Sequence, residues 1–275
     1  MWPSLFSSLL IAWQIFCVVC FGVFTTYGSD LGAISMVKYY PVFQDVNIMI
    51  FIGFGFLMTF LRDHRFGSVA LNMMIGALAL QTGILFNGFF HNLVANHWSK
   101  LELSILNLIG GDFAAGAVLI SFGAMLGRVS PVQMVLITLL ELIFFAINEA
   151  VIVVHFEAVD MGGSMLVHAF GSFFGIACGH WLLKKNKETN PRNCSTYASE
   201  VVAAIGTIFL WCYWPSFNGA LAVGSAQHRV VINTVLGLTG SCLSAFAASH
   251  YFHRKIEPED ILNATLAGGV AIGSS

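Results

Sequence analysis

Apolar residues in this chain gather into long blocks parted by short polar stretches, not the alternating or three-and-four spacing of soluble strands and helices. A helix that crosses a bilayer needs about 20 such residues. Nine blocks are candidate spans: 8–26, 44–61, 68–90, 107–127, 132–154, 161–183, 199–217, 230–250 and 260–275. The pattern predicts an all-α, polytopic transmembrane helical bundle. No Lys or Arg precedes the first block, since the first basic residue is Lys38, so this block reads as a retained span rather than a cleaved leader. The last block is short and has no flanking charge.

Composition agrees. Hydrophobic residues make up 57% of the 275 and charged residues 9%, with a mean hydropathy of +0.80; soluble domains carry about 25% charged residues. A formal net charge of -2 excludes a basic, nucleic-acid-binding surface. The six cysteines are scattered, and Cys17-x-x-Cys20 lies inside an apolar block, where both read as small apolar side chains rather than a redox or metal pair.

Nine spans put alternate loops on opposite sides. One set holds Arg62, Arg65, Arg128, Lys184, Lys185, Lys187, Arg192, Arg254 and Lys255; the other holds only Lys38, Lys100 and Arg229. The excess of positive charge on cytoplasmic loops then places the N-terminus in the cytoplasm. The sequon Asn193-Cys-Ser falls on the cytoplasmic side, and Asn263-Ala-Thr at the start of a span, so both are expected to be unmodified.

Ionisable groups at membrane depth are costly and mark a pathway or a partner. The candidates are Asp112, Glu141, Glu149, Asp160, His168 and His180. The sixth block opens Asp160-Met-Gly-Gly-Ser164, suited to a helix start whose backbone N–H groups the carboxylate caps. Ser164, His168 and Ser172 then share a helical face, and Gly171, Gly175 and Gly179 form a small-residue stripe for close packing. His168 either lines a passage or is a buried imidazole bonded to a neighbour. Asp112 reads as a cap of the fourth span, Glu149 as a vestibule acid or interfacial anchor, and Glu141 as a group with an unnamed partner. In Trp211-Cys-Tyr-Trp-Pro-Ser-Phe-Asn218, Trp and Tyr suit an interfacial aromatic belt. No catalytic constellation, metal-ligand spacing or phosphate loop is present, which predicts a non-enzyme without cofactor or metal.

Several stretches resemble the Rhesus glycoproteins of the ammonium transporter superfamily: Tyr40-Pro-Val-Phe-Gln-Asp-Val46, the run from Met49 to Phe60, the run from Asp160 to Gly171, Trp214-Pro-Ser-Phe-Asn218 and Asn263-Ala-Thr-Leu-Ala-Gly-Gly-Val270. The match runs the length of the chain, and the extra first span is similar to the Rhesus branch. The resemblance implies an inverted repeat, its first copy at about 44–183 and the start of the second at about 199–275, in a plasma-membrane homotrimer with one pore per subunit or a hetero-oligomer with other Rhesus proteins. It implies ammonia or ammonium as the permeant, with carbon dioxide a further candidate. Phe113 and Phe217 correspond to a phenylalanine pair closing the outer mouth, His168 to the first of two facing pore histidines, Asp160 to an aspartate ordering the pore, Asn218 to a pore-wall position and Glu149 to an acid concentrating ammonium. The second histidine and second aspartate belong to a later span, so the chain reads as the N-terminal part of a family subunit. Loop 28–39 lacks the sequon of many relatives. Rival readings are a non-conducting assembly partner, which tends to lack these pore residues, and an ion-coupled carrier of larger solutes, which needs more polar groups at mid-membrane.

Overall fold

The computed structural model describes residues 2–28, 32–62, 65–182 and 194–274; Asn193 of the first sequon lies outside them. Eleven α-helices and one small sheet follow in order among the described residues: α1 (Trp2–Phe24), β1 (Thr25–Tyr27), α2 (Ala33–Ile48), α3 (Phe54–Leu57), α4 (Arg65–Val94), β2 (Leu101–Leu103), α5 (Ile105–Met125), α6 (Pro131–Ala150), α7 (Phe170–Leu182), α8 (Tyr197–Gly219), α9 (Ser225–His253), α10 (Pro258–Ala264) and α11 (Ala267–Ala271). Three π-helical turns interrupt the regular winding. Met49–Gly53 joins α2 to α3, Val151–His155 prolongs α6, and Ser164–Ala169 opens the segment that becomes α7.

Local sequence explains the starts of three long helices. Ser104 caps α5, Ser130 caps α6 and Thr196 caps α8. In each, the hydroxyl accepts the backbone N–H three residues on, and the side chain of Asn107, Gln133 or Ser199 returns a bond to the cap backbone. Pro131 follows at the first turn of α6, where its missing N–H costs nothing.

Eight helical segments are long and apolar enough to cross a membrane: Leu5–Phe24, Ser35–Leu57, Phe66–Val94, Ile105–Met125, Pro131–His155, Ser164–Leu182, Tyr197–Gly219 and Ser225–His253. They correspond to the first eight sequence blocks. The ninth block, 260–275, is corrected: it forms two short helices, α10 and α11, parted at Thr265 and Leu266. Within α11 the Gly268–Gly269 pair lets the backbone dock closely on its neighbours. A Cβ on Gly269 would stand 2.6 Å from the Trp214 ring, and one on Gly268 would collide with the backbone of Gly237.

Helix α5 stands at the centre and packs against α2, α4, α6 and α7, while α3 and the turn before it pack on α8. The glycine stripe of α7 lies on α5. A Cβ at Gly171 would be 2.5 Å from the Ala117 carbonyl oxygen, and one at Gly175 would be 2.9 Å from Ser121 Cα. Such contact distances are open only to small residues.

Candidate functional site

The site grows from the turn Asp160-Met-Gly-Gly-Ser164. Asp160 is 8% exposed, and its Oδ2 accepts the backbone N–H of Met165 at 2.9 Å and of Leu166 at 2.8 Å. Gly163 takes the left-handed conformation, φ 69°, at little cost for glycine, and its carbonyl accepts the N–H of both Val167 and His168. The carboxylate therefore caps the first turn of the span, and the π-helical winding begins there. From the other side, Gly273 O accepts the Gly162 N–H at 2.6 Å, and Ser164 Oγ donates to Val270 O. The segment carrying α11 thus braces the turn.

Phe113 from α5 and Phe217 from α8 stack with ring centroids 4.3 Å apart and planes 22° apart, both buried. Beneath the pair lies His168, whose ring is 5.8 Å from Phe217 and stacks 5.4 Å from Trp214. His168 is 7% exposed, and its Nε2 has no hydrogen-bond partner among the described residues. Trp214 was missed as a site residue: expected in an interfacial belt, it is 3% exposed and faces inward. The signal was available, since Trp214, Phe217 and Asn218 fall at i, i+3 and i+4 on one helical face.

Against Phe113 lies a cavity of about 400 Å³, lined also by Asn87, Glu149, Glu157 and Asp160. Glu149 Oε2 bonds the Nε2 of His91, and Asn87 Oδ1 and Asp160 Oδ1 are buried without partners. Three carboxyl groups and a side-chain amide therefore line this space.

Asn218, expected on the pore wall, is fully buried, and its Nδ2 donates to Thr234 Oγ1 and to Gly269 O, each at 3.0 Å. Its side chain also fills the space a Cβ on Gly162 would need. Asp112 does not cap a helix. Ser104 starts α5 earlier, which leaves Asp112 fully buried with Asn47 Nδ2 at 3.3 Å. Glu141 finds Ser121 as its partner. Ser172 is exposed and leaves the face of buried His168, which lies in the π-helical turn Ser164–Ala169, whereas Ser172 lies in the α-helix after it, so one α-helical period does not run across the junction.

Residues 7–275 match the model of the Ammonium Transporter Family. The chain belongs to that family. Its curated relatives are Rhesus-type: it is 42% identical over 285 residues to the ammonium transporter Rh type C of Xenopus laevis, covering 96% of this chain and 59% of the relative. It is likewise 42% identical to the ammonium transporter Rh type A of Canis lupus familiaris, covering 98% of this chain and 68% of that protein. The chain thus spans about 59% of the length of the Rh type C relatives it matches. Among solved structures, the Rh50 channel of Nitrosomonas europaea superposes with a TM-score of 0.79 at 29% identity, covering 89% of this chain and 65% of that one. The fold is shared with Saccharomyces cerevisiae Mep2 at a TM-score of 0.73 and 19% identity, over 90% and 62% of the two chains. This family member is therefore a multi-pass membrane protein of the Rhesus branch with an ammonium-transporter-type fold.

Proposed function

We propose that this chain forms most of an ammonia pathway, in which ammonium is gathered at the acceptor-lined cavity and neutral ammonia passes the phenylalanine pair toward His168. The observation that carries the reading is the stack of Phe113 on Phe217 with an unpartnered imidazole nitrogen directly behind it. The names of its relatives, ammonium transporters of Rh types A and C, supply the substrate class. In the cavity, Glu149, Asn87 and Asp160 offer oxygen acceptors to an ammonium ion, which donates only. Crossing the aromatic pair strips those partners. An unpaired cation in an apolar passage costs many kcal/mol, so the proton stays behind and ammonia crosses. The imidazole of His168 then exchanges a hydrogen bond with it, as donor or acceptor according to tautomer. Transport on this account is electroneutral, and the chain is a conductor rather than an enzyme. Carbon dioxide, small and apolar, is a second permeant this passage admits.

The same reading sets the chain in the plasma membrane as a subunit of a homotrimer, N-terminus in the cytoplasm, with the cavity facing outward. The first inverted repeat then occupies about residues 44–183, and α8 to α11 begin the second. Replacement of His168 by Ala in the full-length subunit, reconstituted in liposomes, is expected to lower ammonia flux about tenfold, the weight of one lost hydrogen bond of roughly 1 to 1.5 kcal/mol. Unchanged flux and selectivity in a stably folded variant would remove His168 from the pathway.

A further inference from the structure

Between α5, α6 and α7 lies a line of three oxygens that the ammonia pathway does not use. Gly171 O is 2.7 Å from Ser121 Oγ, and Ser121 Oγ is 2.5 Å from Glu141 Oε1. Glu141 and Ser121 are both 0% exposed. Among the described residues no ion pair includes Glu141, and its Oε2 is buried without a partner. Two oxygen-to-oxygen contacts this short are hydrogen bonds only if each holds a proton. Ser121 carries one. Gly171 O is a carbonyl and accepts only, so Ser121 donates to it. The second proton has one possible source, the carboxyl of Glu141, which then donates to Ser121 Oγ through Oε1. Its other oxygen, Oε2, is left as a neutral carbonyl. An unpaired neutral acceptor costs roughly 1–3 kcal/mol, far less than an unpaired carboxylate at the same depth.

Place gives this line a role. Gly171 stands three residues after His168, just beyond the point where the π-helical turn Ser164–Ala169 passes into α7. It is also where α7 lies against Ala117 of α5. A bond made there fixes the height and rotation of the segment that presents the imidazole. We propose that Glu141 is a proton-bearing carboxylic acid that pins the His168 segment to α5 through Ser121, and so acts as a positioning residue. The functional half of this inference rests on the pathway assigned to His168; the protonation half does not.

The test joins infrared difference spectroscopy and flux on the full-length subunit in liposomes. Wild type at neutral pH should show a protonated-carboxyl C=O band, absent from Glu141→Gln. Ser121→Ala, which takes the acceptor away, should move that band to higher wavenumber. Glu141→Gln retains an N–H donor toward Ser121 and should conduct within about twofold of wild type, whereas Glu141→Leu should lose about fivefold, the scale of one neutral hydrogen bond. If the carboxyl region is identical in wild type and Glu141→Gln, the carboxyl is ionised and the inference is overturned. If Glu141→Leu conducts like wild type, the positioning role is overturned. Should Glu141→Leu fail to fold, the band, its shift in Ser121→Ala and the flux of Glu141→Gln still decide. A normal band together with a His168→Ala variant of full flux would overturn the ammonia pathway and leave the pin standing.

Discussion

Helices α5 and α9 have equal mean hydropathy over their best membrane-length windows, yet 67% of that window is buried in α5 and 22% in α9. Helix α5 presents Gly110, Gly111, Ala114, Ala115, Gly116 and Ala117 in succession, so neighbours close on it from several sides. Helix α9 buries a single stripe, Val230, Thr234, Leu238, Ala245 and Ser249, and turns Ile232, Leu236 and Leu243 outward. In a bilayer, lipid tails are as apolar as a leucine side chain, so apolarity alone sets no depth in a bundle. Close approach of backbones does.

One added methyl group, placed at three glycines, breaks or sharpens this comparison. Gly206 of α8 meets the turn before α3. A Cβ there would lie 2.5 Å from Gly53 O and 2.8 Å from the Phe56 carbonyl carbon, both backbone atoms that have nowhere to go. Gly206→Ala should cost more than about 4 kcal/mol and show as loss of the monodisperse folded peak after detergent extraction. Gly171→Ala faces one backbone oxygen at 2.5 Å and should cost about 1–3 kcal/mol, read as a lowered unfolding temperature. Gly240 of α9 has no neighbouring atom within 4 Å of its would-be Cβ, and Gly240→Ala should stay within about 0.5 kcal/mol of wild type. Equal losses at Gly240 and Gly206 would show that the periphery is as tightly specified as the centre.

The spans were legible in the sequence because twenty apolar residues in a row have one main physical use. What resisted was anything that depends on helical phase or on contacts across the fold. Ser172 was placed beside His168 by one α-helical period, but His168 lies in the π-helical turn Ser164–Ala169 and Ser172 in the α-helix that follows. Asp112 looked like a cap because it stands near the start of the fourth apolar block, whereas the Ser104–Asn107 capping box had already begun the helix two turns earlier. The block 260–275 had a span's composition, and neither its break at Thr265 and Leu266 nor the packing of Trp214 and Gly237 on the glycine pair of α11 is a local signal. The same contacts place Trp214, expected in an interfacial belt, at the side of His168. Phe113, Phe217, His168 and Asp160, which lie near one another, were named by resemblance; spacing alone had left His168 with two readings.

The little sheet joining β1 to β2 has a consequence for how the chain threads the membrane. Thr25, Thr26 and Tyr27 pair in parallel with Leu101, Glu102 and Leu103. Partners in a ladder must sit on one side of the bilayer, so the chain between them crosses an even number of times. It crosses twice, through Ser35–Leu57 and Phe66–Val94. The pairing is thus a parity check on topology that owes nothing to lysine and arginine counts. It also orders events: the ladder closes only after both intervening spans are inserted, so α1, which packs little against the rest, is latched to the bundle late.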